Sequence, residues 1–133
     1  MNCVFCKIVE GQIPGMKVYE DEHTVVIMDI AKDVDGHMVA IPKKHVQSIL
    51  DCDTETLHHL MSAVKKVSNH CVEHCGYEGV NLLNASDESA GQSVPHLHIH
   101  IIPRKHGDGI DAWPNFRGAD REISQVFEEI KMM

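Results

Sequence analysis

No stretch of this sequence approaches the ~18 consecutive apolar residues that a membrane-spanning helix needs. The amino terminus also lacks the basic-then-apolar pattern of a secretory signal. No membrane partner is therefore expected, and a cytoplasmic location is the default. Basic residues are scarce, 12 Lys and Arg against 20 Asp and Glu, for a formal net charge of -8. Proteins that hold long polyanions exchange a basic footprint for counterions, so a nucleic acid polymer is not an expected partner. A small phosphate-bearing ligand is not excluded, because backbone N–H groups and a few histidines can hold one locally. Internal repeats, low-complexity tracts and composition breaks are missing too. One domain over residues 1–133 is expected, large enough for a real core. There is no Walker-type phosphate loop, so Mg²⁺ need not belong to the protein's own machinery. Five cysteines form an odd set, and without a signal segment metal binding is a better reading than a disulfide framework.

A hydrophobic share of 43% and a charged share of 24% fit an ordinary globular chain. Residues 3–10 suit a short helix, closed by Gly11 and turned at Pro14-Gly15. Residues 17–20 and 24–29 read as strands joined by the acidic turn Asp21-Glu22-His23, and residues 37–41 as a third strand cut off at Pro42. One long helix opens at Asp53-Thr54-Glu55-Thr56 and stops at Gly76. Its predicted buried face is Leu57, Leu60, Met61, Val64, Val67, Cys71 and Cys75, at three- and four-residue steps. Strands follow at residues 79–83 and 97–102, and a helix at residues 121–130. Strands on either side of one helix, without regular βαβ alternation, favour an antiparallel α+β sheet.

Three histidines alternate with apolar residues in Pro95-His96-Leu97-His98-Ile99-His100-Ile101-Ile102. That is the period of a half-buried strand, so the imidazoles share one face while Leu97, Ile99 and Ile101 point into a core. Side chains two residues apart on a strand are ~6.6–7 Å apart, and those four apart are separated by roughly twice that. His96 and His100 can hardly share one centre, so the three divide the labour.

Cys3-x-x-Cys6 can place two thiolates on one metal, although a redox pair or two inert thiols fits the spacing equally. His45 and one histidine of the triad are available to complete a Cys2His2 set, which suits zinc. His70, Cys71, His74 and Cys75 form a rival cluster; its simpler reading buries the two cysteines and exposes the two histidines. The polar loop at residues 84–93 leads into the triad, where Gly91 lets backbone approach a ligand and Ser93 offers a hydroxyl. Asp29, ending an apolar run, can accept hydrogen bonds from vicinal hydroxyls or simply cap a turn.

Gly91-Gln92-Ser93-Val94-Pro95-His96-Leu97-His98-Ile99-His100-Ile101-Ile102 closely resembles the signature of the histidine triad family of nucleotide hydrolases and transferases. Cys3-Val4-Phe5-Cys6-Lys7-Ile8, Ile13-Pro14, Val18-Tyr19-Glu20-Asp21, Met28-Asp29-Ile30 and Gly36-His37-Met38-Val39-Ala40-Ile41-Pro42-Lys43-Lys44-His45 look like family blocks in family order. The sequence is most similar to small bacterial-type members that keep an N-terminal cysteine pair. Pro95 departs from relatives with an aromatic residue there, and the stretch after Arg104 is weakly matched.

The resemblance implies an antiparallel sheet with a long helix, assembled as a homodimer whose sheet continues across subunits. It implies a purine nucleotide substrate attacked at the α-phosphorus by His98, with His100 and His37 handling protons and Ser93 contacting the phosphate or leaving group. Gly91 and Gln92 would line the same loop, and Asn84 would face the phosphate. Asp29 would bind the ribose hydroxyls, and Phe5, Ile8, Ile13 and Ile30 would wall the base pocket. One structural zinc per chain would sit on Cys3, Cys6, His45 and His96. The expected activity is hydrolysis of purine nucleoside phosphoramidates or related adenylates through a nucleotidyl-histidine. Rival expectations are a dinucleoside polyphosphate hydrolase and a nucleotide- or partner-binding module with little turnover. Substrate choice is expected to lie in residues 85–90 and around Trp113-Pro114-Asn115-Phe116.

Overall fold

The computed structural model describes residues 3–31 and 33–133. Its elements run α1 (Val4–Val9), β1 (Lys17–Glu20), β2 (Thr24–Met28), β3 (Met38–Pro42), α2 (Thr54–His74), β4 (Gly79–Leu83), β5 (Ile99–Arg104) and α3 (Ile123–Ile130). The five strands form one sheet in the order β1-β2-β3-β5-β4, with every neighbouring pair antiparallel. This is the expected antiparallel α+β class.

Both faces of the sheet centre are covered. On one face Val26, Met38, Ala40, Leu97, Ile99 and Ile101 pack against Leu60, Val64, Val67 and Cys71 of α2. On the other, Val25, Ile27, Val39 and Ile41 pack against Ile8 of α1, with Phe5, Val9 and Ile13 alongside. Two covered faces explain why β3 is buried at every position and β2 at all but its last.

Local chemistry sets the element ends. The acidic turn is organised by Asp21, whose carboxylate accepts from the backbone N–H groups of His23 and Thr24 at 2.8 Å each and from the Tyr19 hydroxyl at 2.7 Å. Asp53 caps α2 by accepting from the Thr56 N–H at 3.0 Å. Gly76 follows the end of α2 at a φ of 80°, a left-handed conformation that glycine adopts without penalty.

Three expectations need correction. The buried face of α2 is Leu60, Ala63, Val64, Val67 and Cys71, whereas Leu57 is half-buried, Met61 lies on the flank and Cys75 is an exposed cap residue. The 3.6-residue period puts Met61 about 100° round from Leu60. β3 and β5 begin later than predicted, at Met38 and Ile99, and each carries through a proline, Pro42 and Pro103. Pro103 is tolerated because β3 pairs with β5 only as far as Ile101, beyond which β4 is the sole neighbour.

Candidate functional site

The histidines lie on the α1 side of the sheet, where Val39 of β3 is paired with His100 of β5. His96 and His98 precede the ladder, yet side-chain alternation runs on through them, since Leu97 joins Ile99 and Ile101 in the core under α2. All three histidines therefore turn away from α2, as the spacing predicts.

His96 is wholly buried. Its Nε2–H donates to the Pro42 carbonyl at 2.8 Å, leaving the Nδ1 lone pair free. That nitrogen lies 3.5 Å from both Cys3 Sγ and Cys6 Sγ and 3.0 Å from His45 Nδ1, while Cys6 Sγ lies 3.2 Å from His45 Nδ1. All four ligand atoms fall within 4.8 Å of one another. A tetrahedral zinc with ordinary bond lengths needs edges of about 3.4 Å between nitrogens and about 3.6 Å between nitrogen and sulfur. The cluster fits that cage. Burial, with Cys3 beside it, pushes the Cys6 thiol up, so an unaccompanied Cys6 thiolate is disfavoured and a dication suits the site. Burial likewise holds the His96 imidazole below its ordinary value and keeps it a neutral donor. The rival residues His70, His74 and Cys75 are exposed, and no metal-holding cluster forms there among the described residues.

The His96 peptide also serves its neighbour. His98 donates its Nδ1–H to the His96 carbonyl at 2.7 Å, which fixes the tautomer and leaves Nε2 as the bare nitrogen. Phe5 packs edge-on against both rings, 5.9 Å from His96 and 5.1 Å from His98 between centroids. His98 and His100 open onto a pocket of about 330 Å³ walled by Phe5, Ile8, Ile13 and Ile30, with Asp29 and Ser93 also on its lining. His37 Nε2 lies 2.8 Å from His100 Nδ1 and 3.5 Å from Asp29 Oδ2. Burial, then the neighbouring His98 and His37 imidazoles, lowers the His100 imidazole below its ordinary value.

Asn84, Gly91 and Gln92 stand outside the pocket lining. Asn84 donates to the His98 carbonyl at 2.9 Å. Gln92 donates to the carbonyls of Gln47 and Val94 and accepts from the Asp87 N–H, pinning the loop. Gly91 has a φ of 89° after a 3-10 turn at Glu88–Ala90, and a Cβ there would meet nothing within 4 Å. Its conformation, rather than close approach of backbone, calls for glycine.

Sequence reading missed Asp33, four residues before His37, whose Oδ1 lies 2.8 Å from His37 Nδ1. A carboxylate in an irregular loop leaves no periodic trace; the four-residue offset to a histidine is the one available signal. A backbone carbonyl behind the catalytic ring is an expectation of the chemistry, but no side-chain pattern tells that the carbonyls are those of Pro42 and His96.

Among the described residues no helix is long and apolar enough to cross a membrane. The HIT domain model matches residues 10–107. The chain is 44% identical over 112 residues to the Bacillus subtilis protein named Protein hit, covering 84% of this chain and 77% of that one. It is 36% identical over 133 residues to the adenosine 5'-monophosphoramidase of Schizosaccharomyces pombe, covering 98% of this chain and 96% of the relative. A zinc-bound histidine triad family protein of Mycobacterium smegmatis superposes with a TM-score of 0.79 at 33% identity, over 86% of this chain and 84% of that one. With the family match spanning well over half the sequence, the chain belongs to the HIT, or histidine triad, family.

Proposed function

We propose that the protein is a nucleotide hydrolase that cleaves at the α-phosphate of purine nucleoside phosphoramidates or related adenylates, with His98 as nucleophile. Nucleotide hydrolysis is supported at the level of the family, and the phosphoramidase name of the fission yeast relative supports the choice of bond. The single observation that carries the reading is the oriented His98, its Nδ1–H donated to the His96 carbonyl and its ring opening on an apolar pocket.

The imidazole Nε2 is nucleophilic when neutral, unlike an unassisted hydroxyl. Its lone pair attacks the α-phosphorus as the P–N bond breaks, and the amine leaves after taking a proton. The His98 ring gains positive charge as the N–P bond forms, and the His96 carbonyl 2.7 Å from Nδ1 steadies it. Water then attacks phosphorus, the N–P bond breaks, and His98 returns with release of the nucleoside monophosphate. His100 and His37 handle the protons, while Ser93 contacts the phosphate or leaving group. Asp29 takes the ribose hydroxyls, and Phe5, Ile8, Ile13 and Ile30 flank the base.

Cys3, Cys6, His45 and His96 would hold zinc, which would supply a cross-link from the start of α1 to the segments that flank β3 and β5. We further read the protein as a cytoplasmic homodimer extended through the free edge of β4, where Leu82 is exposed.

His98→Ala tests the reading. The parent should accumulate an acid-labile nucleotidyl adduct under rapid quench, and the variant should lose both the adduct and more than about a thousandfold in turnover. A variant as fast as the parent would overturn the covalent route. Absence of adduct and turnover in both proteins, across phosphoramidates, adenylates and dinucleoside polyphosphates, would favour a binding module.

A further inference from the structure

The loop at residues 29–37 places a carboxylate behind the proton-handling histidines. Asp33 Oδ1 lies 2.8 Å from His37 Nδ1, and His37 Nε2 lies 2.8 Å from His100 Nδ1. The same Oδ1 accepts from the Val34 N–H at 2.8 Å, so the carboxylate is aimed before any ligand arrives. The Asp33 side chain is 53% exposed and keeps its charge in water, whereas that of His37 is only 9% exposed. We propose that Asp33 is a positioning residue of the proposed hydrolase, holding the proton on His37 Nδ1 so that His37 Nε2 accepts from His100 Nδ1–H and the outer nitrogen of His100 becomes the proton acceptor of the site. This rests on the function proposed above.

Acceptor and donor rules carry the inference. An ionised carboxylate has no proton to give, so a bare Nδ1 facing it would be repelled. His37 must then donate through Nδ1, and its neutral form has its lone pair on Nε2. The nearest partner for that lone pair is His100 Nδ1, which donates and leaves its own Nε2 bare. Asp33 thereby selects two tautomers with one contact. The reverse arrangement would cap His100 Nε2 with a proton in its neutral form and remove its capacity as a base. The other charged or titratable groups facing the relay are Asp29, 3.5 Å from His37 Nε2 and 4.0 Å from His100 Nδ1, and His98, 5.0 Å from His100 between ring centroids. Hydrogen bonding from His37 holds the Asp33 carboxyl below its usual range, which keeps it an acceptor.

The test combines ¹⁵N NMR of the imidazoles with steady-state kinetics on an adenosine phosphoramidate, the His37 signals being assigned by difference with His37→Gln. The parent should show Nδ1 protonated and Nε2 bare at His37. Asp33→Ala should lose that single tautomer and about tenfold in kcat at unchanged KM, since Asp33 stands outside the lining of the candidate pocket. Asp33→Asn retains an acceptor oxygen and should recover part of both signals. Asp35→Asn removes a like charge from the same loop and should alter neither. Unchanged His37 tautomers or unchanged kcat in Asp33→Ala would overturn the proposal, as would an equal effect from Asp35→Asn. His98→Ala run alongside separates the failures: if it stays active the covalent reading falls, and if it is dead while Asp33→Ala matches the parent, only the role of Asp33 falls.

Discussion

His96 sends its ring toward Cys3, Cys6 and His45 while its carbonyl holds His98 Nδ1 at 2.7 Å, so one residue positions both the candidate metal cage and the candidate nucleophile. Alternation in the sequence showed that the three imidazoles share a face and that His96 and His100 cannot share a centre. It could not show which backbone carbonyls meet them, because carbonyl positions depend on the path of the chain rather than on residue type. Asn84 illustrates the consequence. The family likeness implies a place on the phosphate side, and its amide donates to the His98 carbonyl at 2.9 Å, where the β4–β5 ladder ends. Asn84→Ala should cost about 1 kcal/mol in urea unfolding, the worth of one ordinary hydrogen bond, and should lower kcat with KM unchanged. A raised KM at undiminished stability would instead support the direct phosphate contact that the resemblance implies.

At the scale of elements, α1 is too short to be stable by itself, since isolated helices under about 12 residues are marginal in water. It packs through Ile8 against the second core, carries Cys3 and Cys6 to the candidate cage, and between the cysteines presents Phe5 to His98. The presence of this helix, and of α2 with its Asp53 cap and Gly76 stop, was legible from caps, turns and period. The exact phase of α2 was less so, because Met61 and Cys75 are apolar residues that the sheet does not reach. The end of β3 lies one residue beyond the expected stop because Pro42 still pairs with Thr24 of β2 where β5 is no longer a neighbour. If the cage anchors α1, purified protein should carry about one zinc per chain, and Cys3→Ser with Cys6→Ser should lose it. The same double variant should show faster amide exchange across α1 and a higher KM, through loss of Phe5 and Ile8 from the pocket wall. Equal metal content in parent and variant would refute the ligand set.

For the whole molecule, the class of the sheet followed from pattern but the order β1-β2-β3-β5-β4 did not, since pairing across long connections leaves no local mark. Folding has a further collective consequence, because it buries imidazoles on the face that α1 covers. Burial is the main cause lowering His96 and His100 below the ordinary value of 6.5, with neighbouring imidazoles acting in the same direction. Below pH 6.5 the unfolded chain takes up these protons while the folded chain resists them, so the unfolded state binds more protons and stability falls with pH. The stabilisation is complete above 6.5 and is lost as pH falls through the folded values. Any cation held through His96 Nδ1 adds to the same trend, since protons compete for that nitrogen. Carboxylates lowered by their partners, Asp21 and Asp33 among them, contribute a second decline only once pH falls below about 4. The urea midpoint should therefore drop between about pH 7.5 and pH 5.5, before any carboxylate titrates. His100→Asn, which removes one of the two resisting groups without touching the cage, should flatten that drop. A midpoint that stayed level or rose across this interval would show that the imidazoles are as accessible to protons in the folded protein as in the unfolded chain.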